Sequence, residues 1–221
     1  MVAEKDTEAR NFKVMAINFT QKEVLKNHAK YLERKNLYSL FGCDIDDERT
    51  FILKQAGDLS GSRILEAGTG KGYFSMVLAK NGYHFVSFDI SEEEIRFAKM
   101  NLIYYKLEKF VDLRIENMEK LSFPDRMFDV IFSINTLHHL TNIESSLNEI
   151  TRVLSSRGKI ILSDFTEQGF DLIDKIQSLE GKTHDRGHTD FNSIRNCFIK
   201  KGFEITESKS AYQLVVRADR K

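Results

Sequence analysis

Apolar and polar residues alternate along this chain in two different rhythms. From residue 21 to about residue 40, Val24, Leu25, His28, Tyr31, Leu32 and Leu37 recur at helical spacing, which predicts an amphipathic helix. Residues 46–56 read as a second helix, with Asp46 as N-cap and Gly57 as its stop. Residues 1–18 are polar and weakly patterned, and read as an arm or as a helix that packs elsewhere. Beyond residue 62 short apolar runs take over, each followed by a helical stretch. Strands are predicted at 63–67, 84–89, 111–115, 128–134 and 159–164, and helices at 73–80, 91–108 and 143–154. Ser91 with Glu94 three residues on predicts a capping box, and 155–158 reads as a turn. Helical residues near 170–179 and 191–201 precede two last strands, at 203–207 and 213–217. Strand–helix alternation of this kind demands a mostly parallel sheet covered on both faces. The last pair of strands lacks an intervening helix and is expected to join antiparallel at one edge.

Composition narrows the class. The chain has 221 residues, 41% hydrophobic and 30% charged, as in a globular protein with a real core. Lys plus Arg equals Asp plus Glu, 33 each, so no nucleic-acid surface or polybasic membrane anchor is expected. No apolar run approaches the ~18 residues of a membrane span, and no signal segment opens the chain. Cys43 and Cys197 fit no paired spacing, so the expected setting is the reducing cytoplasm.

Candidate chemistry gathers after the first predicted strand. Glu66 ends an apolar run, and Gly68, Gly70 and Gly72 follow at alternate positions before a helix begins. That order offers backbone amides to a nucleotide-like ligand, because glycine lets a ligand approach the backbone closely. Asp89, at the carboxyl end of the second strand, lies 21 residues after Gly68 and suits a ribose diol. The spacing G-x-G-x-G differs from the G-x-G-x-x-G of dinucleotide folds, which counts against an NAD(P)-dependent oxidoreductase.

In joint order these segments resemble the class I S-adenosylmethionine-dependent methyltransferases, of the small-molecule, ubiquinone-biosynthesis-like kind. The first motif matches residues 64–72 and the acidic motif residues 88–91. Residues 116–124, Glu-Asn-Met-Glu-Lys-Leu-Ser-Phe-Pro, match the third, and 128–140 and 150–160 match the segments around strands four and five. The resemblance implies a Rossmann-like, doubly wound α/β sheet of seven strands. Its order would be 3-2-1-4-5-7-6, with the last strand antiparallel and an N-terminal helical cap. Residues 1–57 would form the lid and 58–221 the cofactor-binding domain. It further implies S-adenosylmethionine as cofactor and a small-molecule methyl acceptor. Gly68 and Gly70 would let the amino-acid tail and ribose lie against backbone, and Glu66 would organise that loop or face the ammonium. Asp89 would hold the ribose, Ile90 the adenine face, Asn117 and Met118 the adenine edge, and Asn135 the methionine end. Many relatives carry Asp where this chain has Asn117, which accepts the same hydrogen bond without the charge. A fold of this kind kept as a non-catalytic binding or regulatory module is the rival outside catalysis.

Histidines supply the remaining candidates. His138 and His139 sit just past strand four. His138 is either a general base toward the acceptor or a packing residue beneath the cofactor, and His139 a substrate contact or a surface group. His184, Arg186 and His188 lie in one short stretch before the last helix and are candidate substrate contacts. Their spacing converges on a metal only in a helix, and Gly187 opposes one, so no metal is expected. Asn135-Thr136-Leu137-His138 is not the Asn-Pro-Pro-aromatic tetrapeptide of amino-group methylases of DNA or protein. Lys22, Lys26, Lys30 and Lys35 read as a charged face of the first helix.

Overall fold

The computed structural model describes residues 18–183 and 190–221. Two helices, α1 (Gln21–Leu40) and α2 (Ile45–Gln55), precede an alternating run: β1 (Ile64–Ala67), α3 (Tyr73–Lys80), β2 (Phe85–Asp89), α4 (Glu92–Tyr104), β3 (Val111–Ile115) and β4 (Phe128–Ile134). The chain continues through α5 (Ile143–Val153), β5 (Leu154–Phe165), α6 (Glu167–Leu179), α7 (Phe191–Lys200), β6 (Phe203–Lys209) and β7 (Gln213–Arg220).

All seven strands form one sheet in the order β3-β2-β1-β4-β5-β7-β6. Strands β1 to β5 pair in parallel, and β7 runs antiparallel to both of its neighbours. The order anticipated from the family resemblance is therefore the order found. The last two strands do join antiparallel, but β7 inserts between β5 and β6, and of these two only β6 lies at an edge.

Central strands are buried on both faces, as a parallel sheet demands. Phe88, Phe128 and Phe132 are almost wholly inaccessible, and each such ring contributes roughly 1.5–3 kcal/mol by leaving water. Phe132 of β4 meets Phe74 of α3 with ring centroids 5.0 Å apart, which fixes the helix after the glycine turn onto the sheet. Tyr31 of α1, Ile52 and Leu53 of α2 and Ala56 at the C-cap of α2 join the same core as Ile64 and Phe132. Helix α1 also packs on α4 and α6, and α2 on α3 and β7. Lys22, Lys26 and Lys30 lie on the exposed side of α1, whereas Lys35 pairs with Asp46.

Local details differ from the sequence reading in three places. The N-cap of α2 is Asp44, whose carboxylate accepts from Asp46 N at 2.8 Å and Asp47 N at 3.2 Å. Asp46 lies inside the first turn, where its carboxylate is spent on Lys35 and Arg49. The turn expected at 155–158 is an irregularity within β5, which starts at Leu154 opposite Phe128 and regains register at Lys159 opposite Val130. Ser91 caps α4 by accepting from Glu94 N at 3.2 Å, but no reciprocal bond completes a capping box. The Ser91 N–H donates to Asp89 at 2.9 Å instead.

Candidate active site

The strand order reverses direction beside β1, because β2 and β3 extend to one side and β4 and β5 to the other. Crevices at the carboxyl ends of strands open at such a point. Here a cavity of about 660 Å³ lies over the carboxyl ends of β1, β2 and β4.

Its floor is the glycine turn. The N–H groups of Gly68 and Thr69 both donate to Phe88 O at 2.9 Å, and Gly70 N donates to Asp89 Oδ2 at 2.8 Å. The turn is thus tied to β2 before any ligand arrives. The three glycines have different reasons to lack a side chain. A Cβ on Gly68 would stand 2.3 Å from Thr136 Oγ1, and one on Gly72 would stand 2.8 Å from Ala98 Cβ of α4. At Gly70, φ is +49° and nothing lies closer to a Cβ than Glu94 Oε2 at 4.0 Å. Gly68 and Gly72 serve packing, therefore, while Gly70 leaves its space open toward the cavity. Gly72 does not line the cavity.

Carboxylates surround this floor. Glu66 is fully buried at the base and accepts from the hydroxyls of Ser75 and Ser87, the latter at 2.7 Å. Burial pushes its carboxyl up to about 7, against the two serine hydroxyls that favour the charged form. Asp89 stands at the end of β2 with its two oxygens on Gly70 N and Ser91 N. Each oxygen keeps a second lone pair, so these bonds leave acceptor capacity for a diol. Glu94 and Lys71 also line the cavity. Burial raises Glu94 and lowers Lys71, each partly offset by the charge of the other.

Beyond Asp89 the rim is made by Ile90, Asn117 and Met118. Ile90 is 68% exposed, an apolar side chain left uncovered beside the cavity. Asn117 Oδ1 accepts from Glu119 N at 2.9 Å, a local turn that holds the amide at the rim, while Met118 is buried. Asn135 follows β4 with φ +53°, a conformation that asparagine tolerates better than most residues. Its Oδ1 is buried and has no hydrogen-bond partner among the described residues.

The far wall carries the two histidines. His138 is buried, and its Nδ1 lies 2.7 Å from Asp164 Oδ1 at the end of β5. Asp164 also accepts from the backbone N–H of His138 at 3.2 Å and of Phe165 at 2.9 Å. With Asp164 accepting from Nδ1–H, Nε2 is the basic nitrogen of the neutral ring. His139 is exposed and packs its ring 3.9 Å from that of His138. His184, Arg186 and His188 lie outside the described residues.

Sequence reasoning named no residue of the roof. Arg34 and Tyr38 of α1 and Arg49 of α2 reach the cavity, as does Tyr73 at the start of α3. The Arg34 guanidinium is clamped by Glu180 at 2.8 and 2.6 Å, and Arg49 lies over the Tyr73 ring at 4.7 Å. Only the fold brings residues this far from the glycine turn to its mouth. Asp164 was also missed, although a lone carboxylate closing the apolar run of β5 was a usable signal.

Ten of the candidates, Glu66, Gly68, Gly70, Asp89, Ile90, Asn117, Met118, Asn135, His138 and His139, line the one cavity. Open space at Gly70, a carboxylate at the end of β2 and an unpartnered amide oxygen at the end of β4 suit an adenosyl group bearing an amino-acid tail. The strand order is the one that the resemblance to class I S-adenosylmethionine-dependent methyltransferases implied. Residues 58–217 match the family model described as methyltransferase domain, and the chain belongs to this family. It is 28% identical over 138 residues to a demethylmenaquinone methyltransferase of Tropheryma whipplei (strain Twist), covering 62% of this chain and 56% of that one. It is 29% identical over 174 residues to the ubiquinone/menaquinone biosynthesis C-methyltransferase UbiE of Hydrogenovibrio crunogenus, covering 76% of this chain and 63% of that one. The chain thus spans less than two thirds of the length of these two relatives. Its fold matches a crystal structure of a SAM dependent methyltransferase from Aquifex aeolicus with a TM-score of 0.63 and 20% identity, over 92% of this chain and all of that one.

Proposed function

We propose that the protein transfers the methyl group of S-adenosylmethionine to a small-molecule acceptor. The observation that carries this reading is the single cavity in which Gly70, Asp89 and Asn135 converge. Asp89 is the ribose acceptor, Ile90 and Met118 pack on the adenine, and Asn117 accepts from its amino group. The cofactor supplies an activated methyl group on its sulfonium. The chain's own part is to orient donor and acceptor in line, an effect worth up to ~7–11 kcal/mol. His138 takes a proton from an acceptor that carries one, with Asp164 holding the ring in the required tautomer.

A quinone-type or phenolic acceptor is the reading the named relatives favour, and Tyr38, Tyr73 and Phe165 give the cavity an aromatic lining that suits it. Helices α1 and α2 act as the lid in this scheme, through Arg34, Tyr38 and Arg49. Among the described residues no helix is long and apolar enough to cross a membrane, and Cys43 and Cys197 are free thiols, which supports a cytoplasmic setting.

Calorimetry with S-adenosylmethionine and S-adenosylhomocysteine is the test. Binding of both is expected, and none of NADH or NADPH. Turnover against a panel of phenols and reduced quinones separates an enzyme from a binding module. Absence of S-adenosylmethionine binding sinks the proposal.

A further inference from the structure

Helix α1 lies along α4 as well as over the cavity. At the seam two asparagine side chains stand in series. Asn27 of α1 donates through Nδ2 to Asn101 Oδ1 of α4 at 2.8 Å, and to Phe97 O at 3.4 Å. Asn101 is buried and donates through Nδ2 to Lys71 O, also at 2.8 Å. Both ends of the series are backbone carbonyls, which only accept. They fix which way round each amide stands, and the donors run in one direction, from α1 into the glycine turn.

The turn is held from two sides. Gly68 N and Thr69 N are anchored on Phe88 O, and Gly70 N on Asp89, so these amides belong to β2. The Lys71 carbonyl is anchored on α4 through Asn101, one helical turn from the Ala98 that packs against Gly72. The ammonium of Lys71 lines the cavity and lies 5.8 Å from the centre of the Phe97 ring. Phe97 is also the residue whose carbonyl receives Asn27. The Gly70–Lys71 segment thus hangs between one anchor on the sheet and one that continues to α1. Neither Asn27 nor Asn101 lines the cavity.

Resting on the methyl-transfer reading, we propose that Asn27 and Asn101 are positioning residues that couple the docking of α1 to the geometry of the glycine turn. With α1 seated, Asn27 fills Asn101 Oδ1, and the Asn101 amide keeps the Lys71 carbonyl on α4. With α1 lifted, that buried Oδ1 loses its donor, and the amide leaves Lys71 O to reach water. Gly70, next in the chain, then loses the setting in which it meets the cofactor. Such a coupling is reciprocal: a cofactor bound over the turn also holds α1 in place.

The test uses calorimetry on the full chain with two nucleosides. S-adenosylhomocysteine carries the amino-acid tail, and 5′-methylthioadenosine keeps the adenosyl half without it. Asn27→Ala cuts the series at α1 and touches neither turn nor cavity. It should weaken both nucleosides about five- to tenfold, because Gly70 adjoins the ribose acceptor Asp89. Asn101→Asp keeps the acceptor for Asn27 and loses the donor to Lys71 O, and should weaken both about ten- to thirtyfold. Adding Asn27→Ala to Asn101→Asp should cost less than a further twofold, since one series cannot be cut twice. Hydrogen exchange supplies the reciprocal readout. Saturating S-adenosylhomocysteine should slow the α1 amides of wild type at least fivefold, and those of Asn101→Asp less than twofold, with β1 equally protected in both. Unchanged nucleoside affinity in a folded Asn27→Ala, or losses that multiply in the double variant, overturns the coupling and leaves the methyl-transfer reading standing. A wild type that binds neither nucleoside overturns that reading, and the coupling with it.

Discussion

His138 Nδ1 and Asp164 Oδ1 lie 2.7 Å apart, with side chains only 1% and 0% exposed. The aspartate ends β5 and the histidine follows β4, so the contact couples two neighbouring parallel strands at their ligand-facing ends. A buried carboxylate that accepts three N–H groups orients what it touches.

Removing that carboxylate separates structure from chemistry. Asp164→Ala leaves the donors of His138 and Phe165 without an acceptor and should cost about 2–4 kcal/mol in urea unfolding. Asp164→Asn keeps the volume but presents an amide N–H₂ that favours the opposite histidine tautomer. With a protonated acceptor, its kcat should fall about a hundredfold while S-adenosylhomocysteine affinity stays within threefold. A kcat that survives Asp164→Asn assigns His138 to packing.

Glu66 makes stability depend on pH. Its folded-state value of about 7 lies above the ordinary 4.5, so folding takes up a proton across that window. The stabilisation is full below about pH 4.5 and is lost as pH rises through 7, with an upper figure of roughly 3 kcal/mol. Chemical unfolding at pH 5.5 and 8 should show wild type losing stability relative to Glu66→Gln at the higher pH. A cofactor ammonium near the site favours the charged carboxylate, so S-adenosylhomocysteine should bind wild type more tightly as pH rises from 6 to 8. Parallel pH profiles for the two proteins would remove Glu66 from both effects.

The three glycines predict different failures. Gly68→Ala places a Cβ against Thr136 and should destabilise the fold by about 2–4 kcal/mol. Gly70→Ala meets only the ordinary cost of a left-handed alanine, about 1–2 kcal/mol, yet fills space on the cavity side. Thermal melts should therefore show a folded Gly70→Ala that binds S-adenosylhomocysteine at least tenfold more weakly. Unaltered binding in that variant means that no ligand passes over the turn.

Asp89→Ala removes the acceptor at the end of β2 together with the tie to Gly70 N. Both S-adenosylhomocysteine and methylthioadenosine carry the ribose, so both should weaken by about ten- to a hundredfold. Asp89→Asn keeps an acceptor oxygen and should recover part of the loss. Weakening of the tailed nucleoside alone contradicts a ribose role.

The sheet was legible because β1, β2, β4 and β5 hold apolar runs that stop at or beside a polar residue (Glu66, Asp89, Asn135 and Asp164), as expected of a parallel sheet covered on both faces. Glu66, Asp89 and the glycine turn were legible for the same reason, since the site sits where those runs stop. The N-cap of α2 was misplaced because Asp44 and Asp46 are chemically alike and only backbone geometry chooses between them. Glu94 has the right spacing for a capping box, but Asp89 lies closer to the Ser91 N–H and takes it. The residues 155–158 are turn formers by type, yet pairing with β4 on one side and β7 on the other draws most of β5 into a strand. Arg34, Tyr38 and Arg49 carry no local signal at all. Their place over the cavity follows from how α1 and α2 pack, which is a property of the whole chain.

Placing β7 between β5 and β6 has a consequence for synthesis. The elements through β5 can pair as they leave the ribosome, but β5 keeps an open hydrogen-bonding edge and β6 has no neighbour until residues 213–220 exist. An exposed parallel edge next to buried apolar strands is a template for intermolecular pairing. Nascent chains stalled before residue 213 should therefore be the species that demand chaperone protection.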